Sequence, residues 1–260
     1  MRAAGPRPGA ARGTGRIVRK LWLVFIAAAA LVCALPAAAA KCPVKPGMLD
    51  LGMPLPKTRE AILKGKEIEI VALGSSSTEG YGATSPRMSY PAEMLRVLLA
   101  NHPDVKITVY NKGIGGQDVS DMLKRLERDV FQATPDLVIW QLGTNAAMRA
   151  ESVDEFRRLL AGGIDRLRAQ GIEVVLMNQQ FAPAVVALPN EEEYVRAIAE
   201  VAREKQVPVF PRFAIMRYWY DQEHMPYAQF ISRDGLHLND YGYRCIGSLL
   251  AQSIENAIAK

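Results

Sequence analysis

Histidine and cysteine are scarce in this chain, with three of each among 260 residues. His102, His224 and His237 are far apart, Cys33, Cys42 and Cys245 equally so, and no Cys-x-x-Cys occurs. That spacing excludes the ligand sets by which structural zinc is usually held, so neither a metal nor another cofactor is expected. Acidic residues are missing from the first forty positions. Internal repeats and low-complexity tracts are missing from everything after them.

The first twenty residues carry Arg2, Arg7, Arg12, Arg16, Arg19 and Lys20, and residues 21–40 are uncharged. A basic start, an apolar stretch from Leu21 to about Leu35 and a small-residue exit at Ala38-Ala39-Ala40 make a signal peptide over residues 1–40. The alternative, an uncleaved anchor helix, needs roughly 18 to 20 densely apolar residues, more than this stretch provides. A periplasmic or secreted location is expected, without stable membrane insertion after cleavage. Removing the leader subtracts six of 32 basic residues and none of 27 acidic ones, leaving 26 against 27. The basic character of the whole chain therefore belongs to the leader, and no nucleic-acid partner is expected. Oligomeric state is not legible. Cys42 and Cys245 remain in a compartment that permits disulfides, either bonded to each other or as two unrelated buried thiols.

Residues 41–64 are rich in Pro and Gly and read as an irregular N-terminal arm, leaving one domain over 65–260. Within it, apolar β-type runs at 67–73, 105–110, 136–142, 172–178 and 207–210 alternate with helical patterns at 89–101, 118–131, 152–169, 190–205 and 239–259. Runs such as Leu137-Val138-Ile139-Trp140 lack in/out alternation, as strands covered on both faces do. The succession predicts an α/β fold, a parallel sheet of about five strands between two helical layers, with ligands at the carboxyl ends of the strands.

Four short motifs fall at those ends. Gly74-Ser75-Ser76-Ser77-Thr78 leaves the first strand in a tight turn, and Thr78 stands where the Gly-x-Ser-x-Gly elbow would need glycine. Asn111-Lys112-Gly113-Ile114-Gly115-Gly116 follows the second strand. Asp118 breaks its match to a dinucleotide fingerprint, so Gly116 is either a free backbone N–H at a turn or a plain turn glycine. Gly143-Thr144-Asn145 follows the third strand, where Asn145 either donates a side-chain amide or caps a helix. Asp234-Gly235-Leu236-His237 precedes the last helix, a spacing that can hold carboxylate and imidazole in one turn, although Asp-x-x-His also occurs by chance in loops. Together these supply a nucleophile, oxyanion donors and a base with its orienting acid, the parts acyl transfer requires. The segments 181–190 and 216–230, with Tyr218, Trp219, Tyr220 and Tyr227, either rim the same end and contact an acyl chain or sugar, or pack in the core. His224 reads as a loop histidine.

With all four blocks in order over roughly residues 67–258, the chain resembles the SGNH (GDSL-type) hydrolase superfamily. The resemblance implies a three-layer, flavodoxin-like fold. It also implies catalysis by Ser76, His237 and Asp234, with an oxyanion hole made by the Ser76 N–H, the Gly116 N–H and the Asn145 amide. Two positions depart from the pattern: Ser75 replaces the usual Asp and Ala146 follows Asn145 where Asp is common. The run of serines leaves Ser75 and Ser77 as alternative nucleophiles. The implied activity is an exported serine esterase for small-molecule or glycan esters, short-acyl or carbohydrate O-acetyl. Lysophospholipase or thioesterase action, acyl transfer to a glycan and, last, a non-catalytic envelope binding protein are the alternatives.

Overall fold

A computed structural model describes residues 42–260, and the leader pattern lies outside the described residues. Five parallel strands form one sheet in the order β2-β1-β3-β4-β5: β1 Ile68–Gly74, β2 Ile107–Gly113, β3 Leu137–Gln141, β4 Glu173–Met177 and β5 Val209–Phe210. This is the flavodoxin order, whose direction of winding reverses between β1 and β3 and opens a crevice at their carboxyl ends.

The strands sort their side chains onto two faces with period two. Ile68, Ile70 and Ala72 of β1, Leu137 and Ile139 of β3, and Val175 and Met177 of β4 join one apolar layer. That layer contains residues of α1 (Pro56–Leu63), α3 (Tyr90–Asn101) and the final helix Asp240–Ile258. Val71, Leu73, Val138, Trp140, Val174 and Leu176 face the other layer, covered by α4 (Val119–Lys124), α5 (Leu126–Asp129), the helix Val153–Ala169 and the helix Glu191–Lys205. Both faces of the central strands are thus dry, the physical origin of their unbroken apolar runs.

Three short helices belong to the functional end: α2 (Ser76–Glu79) after β1, α6 (Thr144–Met148) after β3 and Pro183–Val186 after β4. We number the helix Val153–Ala169 α7, Pro183–Val186 α8 and Glu191–Lys205 α9. Arg212–Asp221 is α10, Tyr227–Phe230 α11 and Asp240–Ile258 α12. Gly74 pairs with Gly113 and Leu73 with Trp140, so the loops leaving β1, β2 and β3 start at one level.

Two expected features differ. The arm is not irregular throughout, because Pro56 opens α1 at its first turn, where a missing N–H costs nothing. Leu51 and Leu55 lie in the main core, so the arm is part of the domain. The helix expected over 118–131 breaks at Arg125, whose buried guanidinium is drawn to the carbonyls of Gly74 and Lys112 and to Asp129. Cys42 and Cys245 form a disulfide that joins the arm to α12 across 203 positions, with Cα atoms 5.3 Å apart.

Candidate active site

Burial separates the three serines. Ser75 and Ser77 are buried while Ser76, the first residue of α2, is half-buried. The Ser75 hydroxyl donates to Gln141 Oε1 at 3.1 Å and the Ser77 hydroxyl to Gln180 Oε1 at 3.4 Å. Ser76 Oγ instead lies 2.8 Å from His237 Nε2. On the other side of the ring, His237 Nδ1 is 2.6 Å from Asp234 Oδ2. Asp234 Oδ1 accepts from Ser232 Oγ and from the backbone N–H groups of Leu236 and His237, at 2.7, 2.9 and 3.0 Å. Burial works against ionisation of Asp234, but these hydrogen bonds and that of the His237 ring outweigh it and hold the carboxyl well below the usual carboxylate range. The carboxylate is therefore ionised and Nδ1 carries a proton, which leaves Nε2 to accept one from Ser76.

The loop after β2 can be accounted for donor by donor. Gly113 N–H donates to Asn111 Oδ1, Ile114 N–H to the Gly74 carbonyl, Gly115 N–H to Glu79 Oε2 and Gln117 N–H to the Ile114 carbonyl. Among the described residues Gly116 N–H has no acceptor, and its φ of +76° suits glycine. Its carbonyl accepts from Arg149 Nη2 at 2.5 Å, and the next carbonyl, Gln117, accepts from Asn145 Nδ2 at 2.7 Å. One amide proton of Asn145 is thereby used to fix the side chain, and the second is free to donate. Ser76 N–H, at the start of α2, likewise lacks an acceptor among the described residues.

Several residues that hold this geometry were not singled out from sequence. Gln141 Oε1 accepts from Ser75 N–H, Ser75 Oγ and Thr78 Oγ1. Gln180 Oε1 accepts from Thr144 Oγ1 and Arg212 Nη2 at 2.9 Å, and its Nε2 donates to the Leu236 carbonyl beside His237. The signal for Gln141 was a polar amide ending an otherwise apolar strand, and for Gln180 the run of amides Asn178-Gln179-Gln180 just beyond one. The departures from the family pattern also find their place: Ser75 is wired to Gln141, and Ala146 is buried in the apolar layer, where a carboxylate would be costly. Of the aromatics, Trp219 is fully buried and donates Nε1–H to the Pro43 carbonyl at 2.7 Å, and Met216 and Phe230 are buried too. Phe181, Tyr220 and Tyr227 pack on one another. His224 is an exposed loop residue with positive φ.

A flavodoxin-order sheet carrying a serine, histidine and aspartate in one hydrogen-bonded line at its switch point places the chain among the SGNH-type ester hydrolases. Comparison with known proteins agrees in sequence as well as fold. The chain belongs to the Non-GDSL lipase-like family, whose model matches residues 41–260. It is similar to an arylesterase of Vibrio mimicus, 27% identical over 187 residues, 72% of this chain and 88% of the relative. It is similar also to an acetylxylan esterase of Geobacillus stearothermophilus, 36% identical over 149 residues, 52% of this chain and 68% of the relative. In fold it matches a solved two-domain esterase active on acetylated mannans with a TM-score of 0.67, at 20% identity over 78% of this chain. It spans 53% of that protein's length. The chain is an esterase of this family.

Proposed function

We propose that the chain hydrolyses short-acyl esters, carbohydrate O-acetyl esters first among them, through an acyl-enzyme on Ser76. The unbroken hydrogen-bonded line from Ser76 through His237 to Asp234, at an edge where Ser76 and Gly116 keep free N–H groups, carries the reading. Ser76 Oγ attacks the carbonyl carbon while its proton passes to His237 Nε2. The carbonyl oxygen becomes an oxyanion held by the N–H groups of Ser76 and Gly116 and by the Asn145 amide. As the intermediate collapses, Nε2 gives its proton to the departing alcohol. Water then attacks the acyl-enzyme by the same route and releases the acid. Asp234 orients the ring and offsets the positive charge that forms on it.

Short acyl groups are favoured because the surroundings of Ser76 are glycine and polar. Gly115 faces the Ser76 side chain with Glu79 bonded to its N–H, whereas Met216, Trp219 and Phe230 are consumed by the core. The mannan- and xylan-directed names among similar proteins favour an acetylated sugar as the alcohol part. Export supports the same substrate, and is itself supported by the leader pattern and by a disulfide of the kind that persists outside reducing compartments. The test is hydrolysis of nitrophenyl esters of graded chain length and of acetylated xylan and mannan, with Ser76→Ala as control. Acetate should be preferred and Ser76→Ala inactive. A preference for acyl chains of about ten carbons or more would favour the lysophospholipase or thioesterase reading, and the expected cost of losing a single oxyanion donor is about 10² to 10³ in kcat.

A further inference from the structure

Beside His237 stands an aromatic ring that fold stability does not explain. Tyr81 is 62% exposed, yet its ring centroid lies 4.6 Å from that of His237, with the planes tilted by 53°. Its backbone is fixed at both ends. Tyr81 N–H donates to the Ser76 carbonyl at 2.9 Å, and the Tyr81 carbonyl accepts from the hydroxyl of buried Tyr243 at 2.7 Å. Gly80 and Gly82 flank it with φ of +102° and +89°. A Cβ at Gly82 would sit 2.6 Å from the Leu238 carbonyl oxygen and 3.1 Å from His237 Cβ. The Gly-Tyr-Gly turn is thus seated hard against the histidine loop, and it presents a side chain that gains little from burial there.

The chemistry of the site decides which part of an ester meets this ring. The carbonyl oxygen is drawn toward Ser76 N–H, Gly116 N–H and Asn145. The alcohol oxygen must come to Nε2, from which it takes the proton it leaves with. A group attached to that oxygen leaves past the imidazole and therefore past the ring packed on it. We propose that Tyr81 is the platform for the alcohol part of the ester, and that it selects alcohols carrying a ring, pyranose or phenol, over open-chain alcohols. The inference rests on the esterase reading above and deepens it. A tyrosine face is broad, apolar and negative at its centre, and it is ordered at the cost of few torsions. The C–H face of a pyranose or the edge of a phenol covers it, whereas an ethyl group leaves most of it in water.

The full protein, with Tyr81→Ala, Tyr81→Phe and Ser76→Ala, is assayed on acetates that share one acyl group: phenyl acetate, an acetylated methyl pyranoside, ethyl acetate and propyl acetate. Tyr81→Ala should lower kcat/KM about tenfold on the ring alcohols and less than about twofold on the open-chain ones, with Tyr81→Phe near wild type throughout. Deacylation of the common acetyl-enzyme should not change, because the alcohol has already gone. A loss on phenyl acetate alone, or on the pyranoside alone, supports the platform and identifies the ring it takes. An even loss on all four acetates overturns it, since Tyr81 would then only prop His237. Hydrolysis surviving in Ser76→Ala would remove the esterase reading and this inference with it, whereas an inactive Ser76→Ala beside an even Tyr81→Ala loss overturns this inference alone.

Discussion

Three hydroxyls stand in a row at 75–77, and what each touches separates them. Two are bound to buried amides, so only Ser76 has its oxygen beside an imidazole. Ser76→Ala and His237→Ala should each lower kcat by about 10³ or more, and the double variant should be little worse than either, because the residues act as one unit. Steady-state kinetics on nitrophenyl acetate measure this, and additive losses would count against a shared mechanism. Arg149 acts one step further out. It grips the Gly116 carbonyl with Nη2 and Asp118 Oδ2 with Nη1 at 2.7 Å, fixing the peptide next to the free Gly116 N–H. Arg149→Ala should reduce kcat about tenfold while KM stays within about twofold, since the donor it positions matters most in the transition state. Arg149→Lys should recover only part of the loss, because an ammonium cannot span both partners as a planar fork does. A rise in KM at constant kcat would show instead that Arg149 binds substrate.

At the scale of elements, the disulfide between the arm and α12 invites the plainest test. Closing a loop this long is worth up to about 5 kcal/mol by chain entropy, less any strain. Urea unfolding of Cys42→Ala/Cys245→Ala should show a lower midpoint, with esterase activity in dilute buffer close to wild type. The central elements were legible from sequence because burial on both faces writes itself as an unbroken apolar run, as in 137–140. The ends of those strands were legible because glycine and small polar residues cluster there. What was not legible depended on partners distant in the chain. The break at Arg125 comes from carbonyls at 74 and 112, and the core position of Trp219 from Pro43 in the arm. Helix α1 was hidden because proline density reads as loop, although a proline at the first turn is compatible with a helix. Within the site, Ser76, Gly116, Asn145, Asp234 and His237 could be picked out by motif. Gln141, Gln180, Arg149 and Tyr81 could not, since each works through atoms that only folding brings near.

For the whole molecule, charge pairing sets how stability depends on pH. Asp118 and Asp129 are both lowered to about 2. For Asp118, hydrogen bonds from Glu151, Asp121 N–H and Ser120, together with Arg149, overcome burial. For Asp129, Arg128 is the main cause, with Arg125 second. Groups depressed on folding stabilise the native state above their unfolded value of 3.8, and that contribution is lost as pH falls toward 2. Glu151 runs the other way. Burial and the neighbouring Asp118 raise it from 4.5 to about 7, so the native state holds a proton that the unfolded chain has released, and stability falls as pH rises across that window. Glu151→Gln should remove this decline: its Tm advantage over wild type should grow from pH 4.5 to 7 and then level off. A constant difference across the range would mean that Glu151 and Asp118 do not share a proton.

The bond from Cys42 to Cys245 also has a consequence for damage. It encloses every strand, the whole of the serine loop and both members of the Asp234–His237 pair within one covalent ring. A single protease cut in any loop between the two cysteines would open that ring without releasing either piece. The nicked protein should migrate as one species until it is reduced. Wherever the chain meets a protease, such a closure turns a first cleavage from a loss of chain into a cut whose two pieces stay joined.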